Sequence, residues 1–506
     1  MVELPSEILN TIFDLAADEH VIFDPRLPNS MAESTWFTPL PDQWQLRTPQ
    51  DSLNLIQRRS YATKKAIIST CKQWRRLGSE FLVRCLFFDH PEKLQSLWSL
   101  LNESDLGWWT RRIHIARFYK HRNFSLDELV KTIVAIIQMC PNLEIFMVDW
   151  PMSSAFGPIV DALCKTCVKS LKSVYWHVPA ETLPKVIWAL ECLPALISVH
   201  IEFDAPKSET LHLGAASDLN LKLRNLEQLS VIGSCQDFLE QAAEWHLPAL
   251  RSLAFDFGLH MNDLPDLEGF LEHHGAELTF LDLSCMPTLD TAAILDLCPR
   301  LTTFCFNADW VLPNPSDDSS SDDVQIVNLP HQHIAQIGCH GLLEAFGVGF
   351  GTDELRVHLF QRMNEKNMGA LTKANFPALK RVRALSRPLL RALDVNDGPH
   401  SSCMPRWDKW WAQFSGMGAR LEDCTGALLG TLPELVDGSD SEEEEDSEEG
   451  TDSEEEGEVE ELLDGERGPA RLNTETVNEL RELLEECWKM SEEREEPVFP
   501  PFAMQY

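Results

Sequence analysis

One recurrence constrains this chain more than any other feature. A leucine, two residues, an apolar residue, one residue and another apolar residue begin at Leu143 (LEIFMV), Leu171 (LKSVYW), Leu196 (LISVHI), Leu226 (LEQLSV), Leu250 (LRSLAF), Leu278 (LTFLDL), Leu301 (LTTFCF) and Leu379 (LKRVRA). The successive steps are 28, 25, 30, 24, 28, 23 and 78 residues. The long last step leaves room for a degenerate unit, IAQIGC from Ile334, and an insertion, while TRRIHI from Thr110 is a candidate opening strand. Alternation within each short core marks a strand, and a proline two residues before the leucine, at Pro141, Pro194, Pro248, Pro299 and Pro377, suits a strand start. Between these strands apolar residues return at helical spacing: SLDELVKTIVAIIQM opens on a Ser125 to Glu128 capping box, and QDFLEQAAEW and TAAILDL carry apolar faces. A unit of one strand and one helix cannot bury its own apolar face, so the units are expected to stack as a curved α/β solenoid.

The N-terminus is different. LPSEILNTIF, from Leu4 to Phe13, places Leu4, Ile8, Leu9, Ile12 and Phe13 at helical spacing behind Pro5, with Glu7 at the positive end of the helix. So short a helix needs a second element to cover it. From Asp18 to Arg59 the periodicity fades and Pro25, Pro28, Pro39, Pro41 and Pro49 accumulate, which reads as a loop or insertion with few core residues, dispensable to the helices around it. Helical pattern resumes at ATKKAIISTCKQWRRLGSEFLVRCLFFD, where Ile67, Ile68, Cys71, Trp74, Leu77, Phe81 and Leu82 form an apolar stripe.

Leu4-Pro5-Ser6-Glu7-Ile8-Leu9 with Ile12-Phe13 resembles the first half of an F-box, and Cys71-Lys72-Gln73-Trp74-Arg75-Arg76-Leu77 resembles its second half. Thr70 stands where that family usually has valine, and a proline-rich insertion separates the halves, as in many fungal F-box proteins. The resemblance implies docking on the Skp adaptor of a cullin-RING ubiquitin ligase, with Leu4, Pro5, Ile8, Leu9, Ile12, Cys71, Trp74 and Leu77 as adaptor-facing or motif-core residues. The repeat steps lie in or near the leucine-rich-repeat range, although the asparagine that family carries after the strand is largely missing. An irregular horseshoe without an asparagine ladder is expected. Trp407, Trp410, Trp411 and Phe414 lie on one side of a helix before a last strand at Ala419 to Glu422, as a cap over the final unit. That tryptophan-rich helix followed by RLED resembles the closing segment of fungal F-box proteins with leucine-rich repeats.

The formal charge of −37 is uneven: residues 437–466 hold 18 Asp and Glu and no Lys or Arg, leaving −19 elsewhere. Both parts are acidic, which argues against binding a nucleic-acid backbone. The tract is self-repelling and nearly free of apolar residues, so it is expected to be disordered. Within it Ser439, Ser441, Thr451 and Ser453 each precede an acidic residue by three positions and resemble acidophilic-kinase sites. Beyond it Val477, Leu480, Leu483, Leu484, Cys487 and Trp488 share a helical face. There is no basic segment leading a long apolar run at the N-terminus and no apolar stretch approaching ~18 residues. A soluble intracellular protein, cytoplasmic or nuclear, is expected, with no membrane partner.

Cys140, Cys192, Cys298 and Cys305 sit in apolar stretches, as buried thiols in a reducing compartment do. Cys164 and Cys167 form a lone CxxC, and His331, His333, Cys339 and His340 lack zinc-motif spacing, so packing roles are expected and no metal or cofactor. No phosphate loop, nucleophile elbow, HExxH or catalytic dyad occurs, and His114 and Asp149 read as surface positions on strands rather than catalytic ones. The expected division is an F-box-like module over 1–90 with its insertion near 18–60, a repeat solenoid with its cap over 91–430, an acidic linker over 431–471 and an amphipathic helix over 472–495. The expected function is a non-enzymatic substrate-recognition adaptor of a Skp-cullin-F-box ligase, whose repeats capture a protein of unknown identity. The alternative is a leucine-rich-repeat scaffold, or a histone-chaperone-like binder of basic proteins acting through the acidic tract.

Overall fold

The computed structural model describes residues 4–17, 19–40, 43–88, 92–116, 125–204, 213–233, 236–256, 267–285, 290–309, 326–347, 354–395, 398–399 and 401–433. The acidic tract with its four candidate phosphorylation sites and the 472–495 helix lie outside these residues. The chain is a mixed α/β fold built on one long parallel sheet. A hairpin of β1 (Thr35–Leu40) and β2 (Gln43–Arg47) stands apart from that sheet. The sheet contains β3 (Cys85–Phe88), β4 (Arg112–Ile115), β5 (Ile145–Pro151), β6 (Ser173–Pro179), β7 (Ser198–Asp204), β8 (Gln228–Gly233), β9 (Ser252–Asp256), β10 (Phe280–Cys285), β11 (Thr303–Asn307), β12 (Gln336–His340), β13 (Arg381–Ala384) and β14 (Arg420–Glu422). These twelve strands lie side by side in chain order.

Each strand of the repeat begins two residues after its pattern leucine, and the same holds after Ile334 and Thr110. That regularity has a local cause. The amide of the pattern leucine closes a turn onto the residue three before it, as Leu143 does on Cys140, Leu196 on Leu193, Leu250 on Leu247, Leu301 on Cys298 and Leu379 on Phe376. Pro141, Pro194, Pro248, Pro299 and Pro377 therefore occupy the second position of a four-residue turn, where a φ fixed near −65° costs nothing. They prepare the strand rather than begin it.

Alternate strand residues divide between two faces. Ile113, Phe146, Val174, Val199, Leu229, Leu253, Leu281, Phe304, Ile337 and Val382 join one continuous apolar core with the helices. The helices are α1 (Ser6–Ala16) and α2 (Glu19–Ile22), which stay outside that core, and α3 (Pro49–Thr70), α4 (Lys72–Val83), α5 (Glu92–Glu103), α6 (Leu126–Met139), α7 (Phe156–Thr166), α8 (Leu183–Cys192), α9 (Gln236–Ala243), α10 (Leu267–His274), α11 (Thr291–Leu297), α12 (Glu354–Gly369), α13 (Arg387–Val395) and α14 (Met404–Gly416), which pack into it. The Ser125–Glu128 capping box opens α6. In α14 the side chains of Trp410 and Phe414 are buried and those of Trp407 and Trp411 pack against the core, next to β14.

The structure corrects the reading of residues 18–60 as a loop. Pro49 is the first residue of α3, and Thr48 caps it through a reciprocal pair with Asp51, so a proline counted as a loop signal is a helix start. Pro39 lies in a two-stranded hairpin, where a missing amide is tolerated. The helical stretch expected from Ala62 onward is broken at Cys71, whose backbone is extended (φ −159°, ψ 165°), and it ends in a strand, β3. Nor does the stretch lack core residues: Phe23 and Ser34, before the hairpin, and Leu46 of β2 are buried, and Leu46 clusters with Leu390 and Cys424.

Candidate docking site

Helix α1 has apolar residues on two sides. Leu9 and Phe13 point inward and form a small core with Ile67 of α3 and Phe81 of α4, closed by the half-buried Trp74 and Leu77. The Phe13 ring meets Trp74 edge-on at 5.1 Å and Phe81 at 5.8 Å, the geometry that aromatic quadrupoles favour. The Cys71 thiol, in an exposed residue, accepts the Trp74 amide at 3.4 Å and caps α4. The two separated half-motifs thus meet in one module. Arg84 ties its ends together, donating to Asp14 of α1 at 2.8 Å and to Glu80 of α4 at 2.7 Å.

The other side of α1 is uncovered. Leu4, just ahead of the helix, and Ile8, Ile12 and Leu15 within it are 46%, 47%, 42% and 65% exposed and fall at successive steps of four, four and three, a single stripe. Of the eight residues named from the sequence, the structure therefore brings Leu9, Trp74 and Leu77 together in the module core. Leu4, Pro5, Ile8, Ile12 and Cys71 remain at the surface. Leu15 extends the stripe and was legible from the same spacing. An exposed apolar stripe of this kind is a surface that water covers poorly and a protein partner covers well.

The sheet face away from the helices is polar. His114 donates or accepts through Nε2 at 2.8 Å from Asp149, His177 pairs with Asp204 at 2.8 Å, and His340 pairs with Asp282 at 2.9 Å. His114 is fully buried, which corrects its reading as a surface residue: its ring packs edge-on at 5.0 Å against Phe87, its neighbour on β3, and its Nε2 is held by Asp149. His200 stacks on Tyr175 with ring centroids 4.1 Å apart, and burial pushes its pKa down to about 4. Burial also disfavours charge on His340, but the Asp282 carboxylate outweighs it and raises the pKa. Asp149, His177, Glu202 and Asp204 keep part of their side chains in solvent at the C-terminal ends of β5–β7.

The thiols lie in the core: Cys140, Cys167, Cys298 and Cys305 are buried, whereas Cys164 and Cys192 are half-buried. Burial pushes Cys140, Cys164, Cys167 and Cys298 up to about 12, which keeps them protonated and unreactive at neutral pH. The histidines near them go separate ways, His331 to the carbonyl of Cys298 at 3.0 Å and His340 to Asp282, while Cys339 faces the core. Among the described residues no group of three or more His, Cys, Asp or Glu side chains is placed to hold a metal ion. Among them also no helix is long and apolar enough to cross a membrane.

No protein-family model matches the chain, and no curated protein matches it. Among solved structures, a crystal structure of a protein from Bacteroides fragilis is similar at a TM-score of 0.32 and 12% identity, over 79% of this chain and 95% of that one, a likeness that bears on neither fold nor function.

Proposed function

We propose that this chain is a substrate-recognition adaptor of a Skp-cullin-F-box ubiquitin ligase, an F-box module followed by an irregular leucine-rich-repeat solenoid. The observation that carries the reading is α1: two half-motifs far apart in sequence share one core, and the helix they place on the outside presents Leu4, Ile8, Ile12 and Leu15 to solvent. An apolar stripe flanked by polar residues suits a protein interface whose energy rests on a few buried anchors. The adaptor docks there, and the strand-and-helix units offer a large polar face for a target protein. Transfer of ubiquitin belongs to other subunits, so the chain itself needs no catalytic residue, metal or cofactor. The site of action is the cytoplasm or nucleus, where that machinery resides.

The test is co-elution. Purified full-length chain mixed with the Skp adaptor is expected to leave a sizing column as a one-to-one complex that also retains a cullin. Separate elution of folded chain and adaptor at micromolar concentration overturns the assignment.

A further inference from the structure

The segment that joins α2 to the hairpin runs across the polar face of the sheet, and the sheet reads its main chain at four places. Arg112 of β4, itself buried, donates to the carbonyl of Ile22 at 2.7 Å. Gln228 of β8 takes both main-chain groups of Leu27, accepting its amide and donating to its carbonyl at 2.9 Å each, while Ser198 of β7 holds the Gln228 amide oxygen at 2.9 Å. Arg383 of β13, buried beside Glu422, donates to the carbonyl of Met31 at 2.7 Å and to the Glu33 carboxylate at 3.0 Å. The amide of Ser34 donates to the carbonyl of Cys424, just beyond β14, at 2.9 Å. From Ile22 to Ser34 the chain advances close to one strand per residue. A turn closed by the Ala32 amide on the Asn29 carbonyl at 2.9 Å interrupts the segment, and the long side chains of Arg112, Gln228 and Arg383 reach it from the sheet.

Space has been kept for it. A Cβ on Gly338 would come within 2.9 Å of Met31 Sδ and 2.7 Å of Cys305 Sγ, and one on Gly426, at φ +80°, would meet Glu33 and Arg383. Beneath the segment the inner-face residues Ile145, Met147, Ser173, Ser198 and Thr303 are buried. Donors and acceptors matched to a main chain, with side-chain clearance between them, are how a protein binds a peptide.

We propose that residues 22–34 are a resident ligand of the inner face: a segment bound in cis that closes the N-terminal half of that face, leaving the C-terminal strand ends to any outside partner. The proposal goes beyond the adaptor reading, and its test does not involve the adaptor, so the two fail separately. The side chains that read the main chain, those of Arg112, Gln228 and Arg383, belong to the sheet and would bind the same segment supplied in trans. The full-length chain with residues 22–34 replaced by a Gly/Ser linker of equal length vacates the face, and a synthetic peptide of residues 20–36 is the probe. Fluorescence anisotropy is expected to show saturable binding to the replaced chain and none to the unaltered chain. Gln228→Leu in the replaced chain is expected to weaken it at least tenfold. Peptide binding to the unaltered chain with equal affinity, or to neither when the replaced chain keeps its circular dichroism, overturns the proposal. Should the replaced chain not fold, hydrogen exchange on the unaltered chain decides. Protection of the Leu27 and Ser34 amides at least a hundredfold above a free peptide is expected, and free-peptide rates there overturn it.

Discussion

Ile8 and Leu9 are neighbours in the chain and face opposite environments, one 47% exposed and the other 4%. Leu9→Ala opens a cavity in the Phe13, Ile67, Phe81 core and is expected to cost about 2–5 kcal/mol. Ile8→Asp is expected to stay within about 0.5 kcal/mol, since about half of the side chain it replaces already lies in solvent. Urea unfolding of both variants checks the pair. The sequence could not separate the two residues because both belong to one broad apolar face of α1, and periodicity alone names that face without saying which part of it α3 and α4 cover. His200 makes a second residue-scale prediction. Stacked on Tyr175 and lying near Asp149 and His177, it stays neutral in the folded chain until the pH nears 4 but takes up a proton near 6.5 when unfolded. Unfolding therefore binds a proton between those values, so the stability that neutral His200 contributes is intact above pH 6.5 and lost as the pH falls, on the order of 3 kcal/mol by pH 4. His200→Gln is expected to flatten the fall in urea midpoint between pH 6.5 and 4. An unchanged slope contradicts it.

At the scale of elements, the strands were the legible part. Their alternation is local, and the turn that starts each one is set by a leucine and often a proline in fixed register, so nine pattern starts and the Thr110 strand could be read without knowing any contact. Two elements were not legible, for physical reasons. β3 follows α4 with no turn residue between them, so Cys85–Phe88 reads as the end of an apolar helix. The segment over residues 22–34 has no periodicity because its main chain is satisfied by side chains about 90 to 350 positions away, among them Arg112, Gln228 and Arg383. Its fit to β12 is testable through Gly338→Ala, whose methyl group would press on Met31, Cys305 and Leu385. Overpacking there is expected to cost about 1–3 kcal/mol. Met31→Ala in the same chain is expected to recover part of that loss, a coupling that a double-mutant cycle reads directly. Strict additivity would mean that the segment does not press on β12.

For the whole molecule, a sheet of strands that each touch only the next would unfold in pieces, since cooperativity in such arrays passes only between neighbours. Here one segment links β4, β8, β13 and the turn after β14, so the folded region is expected to melt in a single transition with equal calorimetric and van't Hoff enthalpies. Replacing residues 22–34 with a Gly/Ser linker is expected to split or broaden it. The sequence predicted the order of units, and their closure by a distant segment appears only in three dimensions. The same separation of inside from outside leaves the outer stripe of α1 as the proposed docking surface for the Skp adaptor. Isothermal titration of the adaptor into unaltered chain and into Ile8→Asp/Ile12→Asp, both verified folded by an unchanged melting temperature, tests it most directly. A saturable one-to-one isotherm is expected for the unaltered chain, and at least a hundredfold weaker binding for the variant. Equal affinity for the two, or no heat with either, would contradict it.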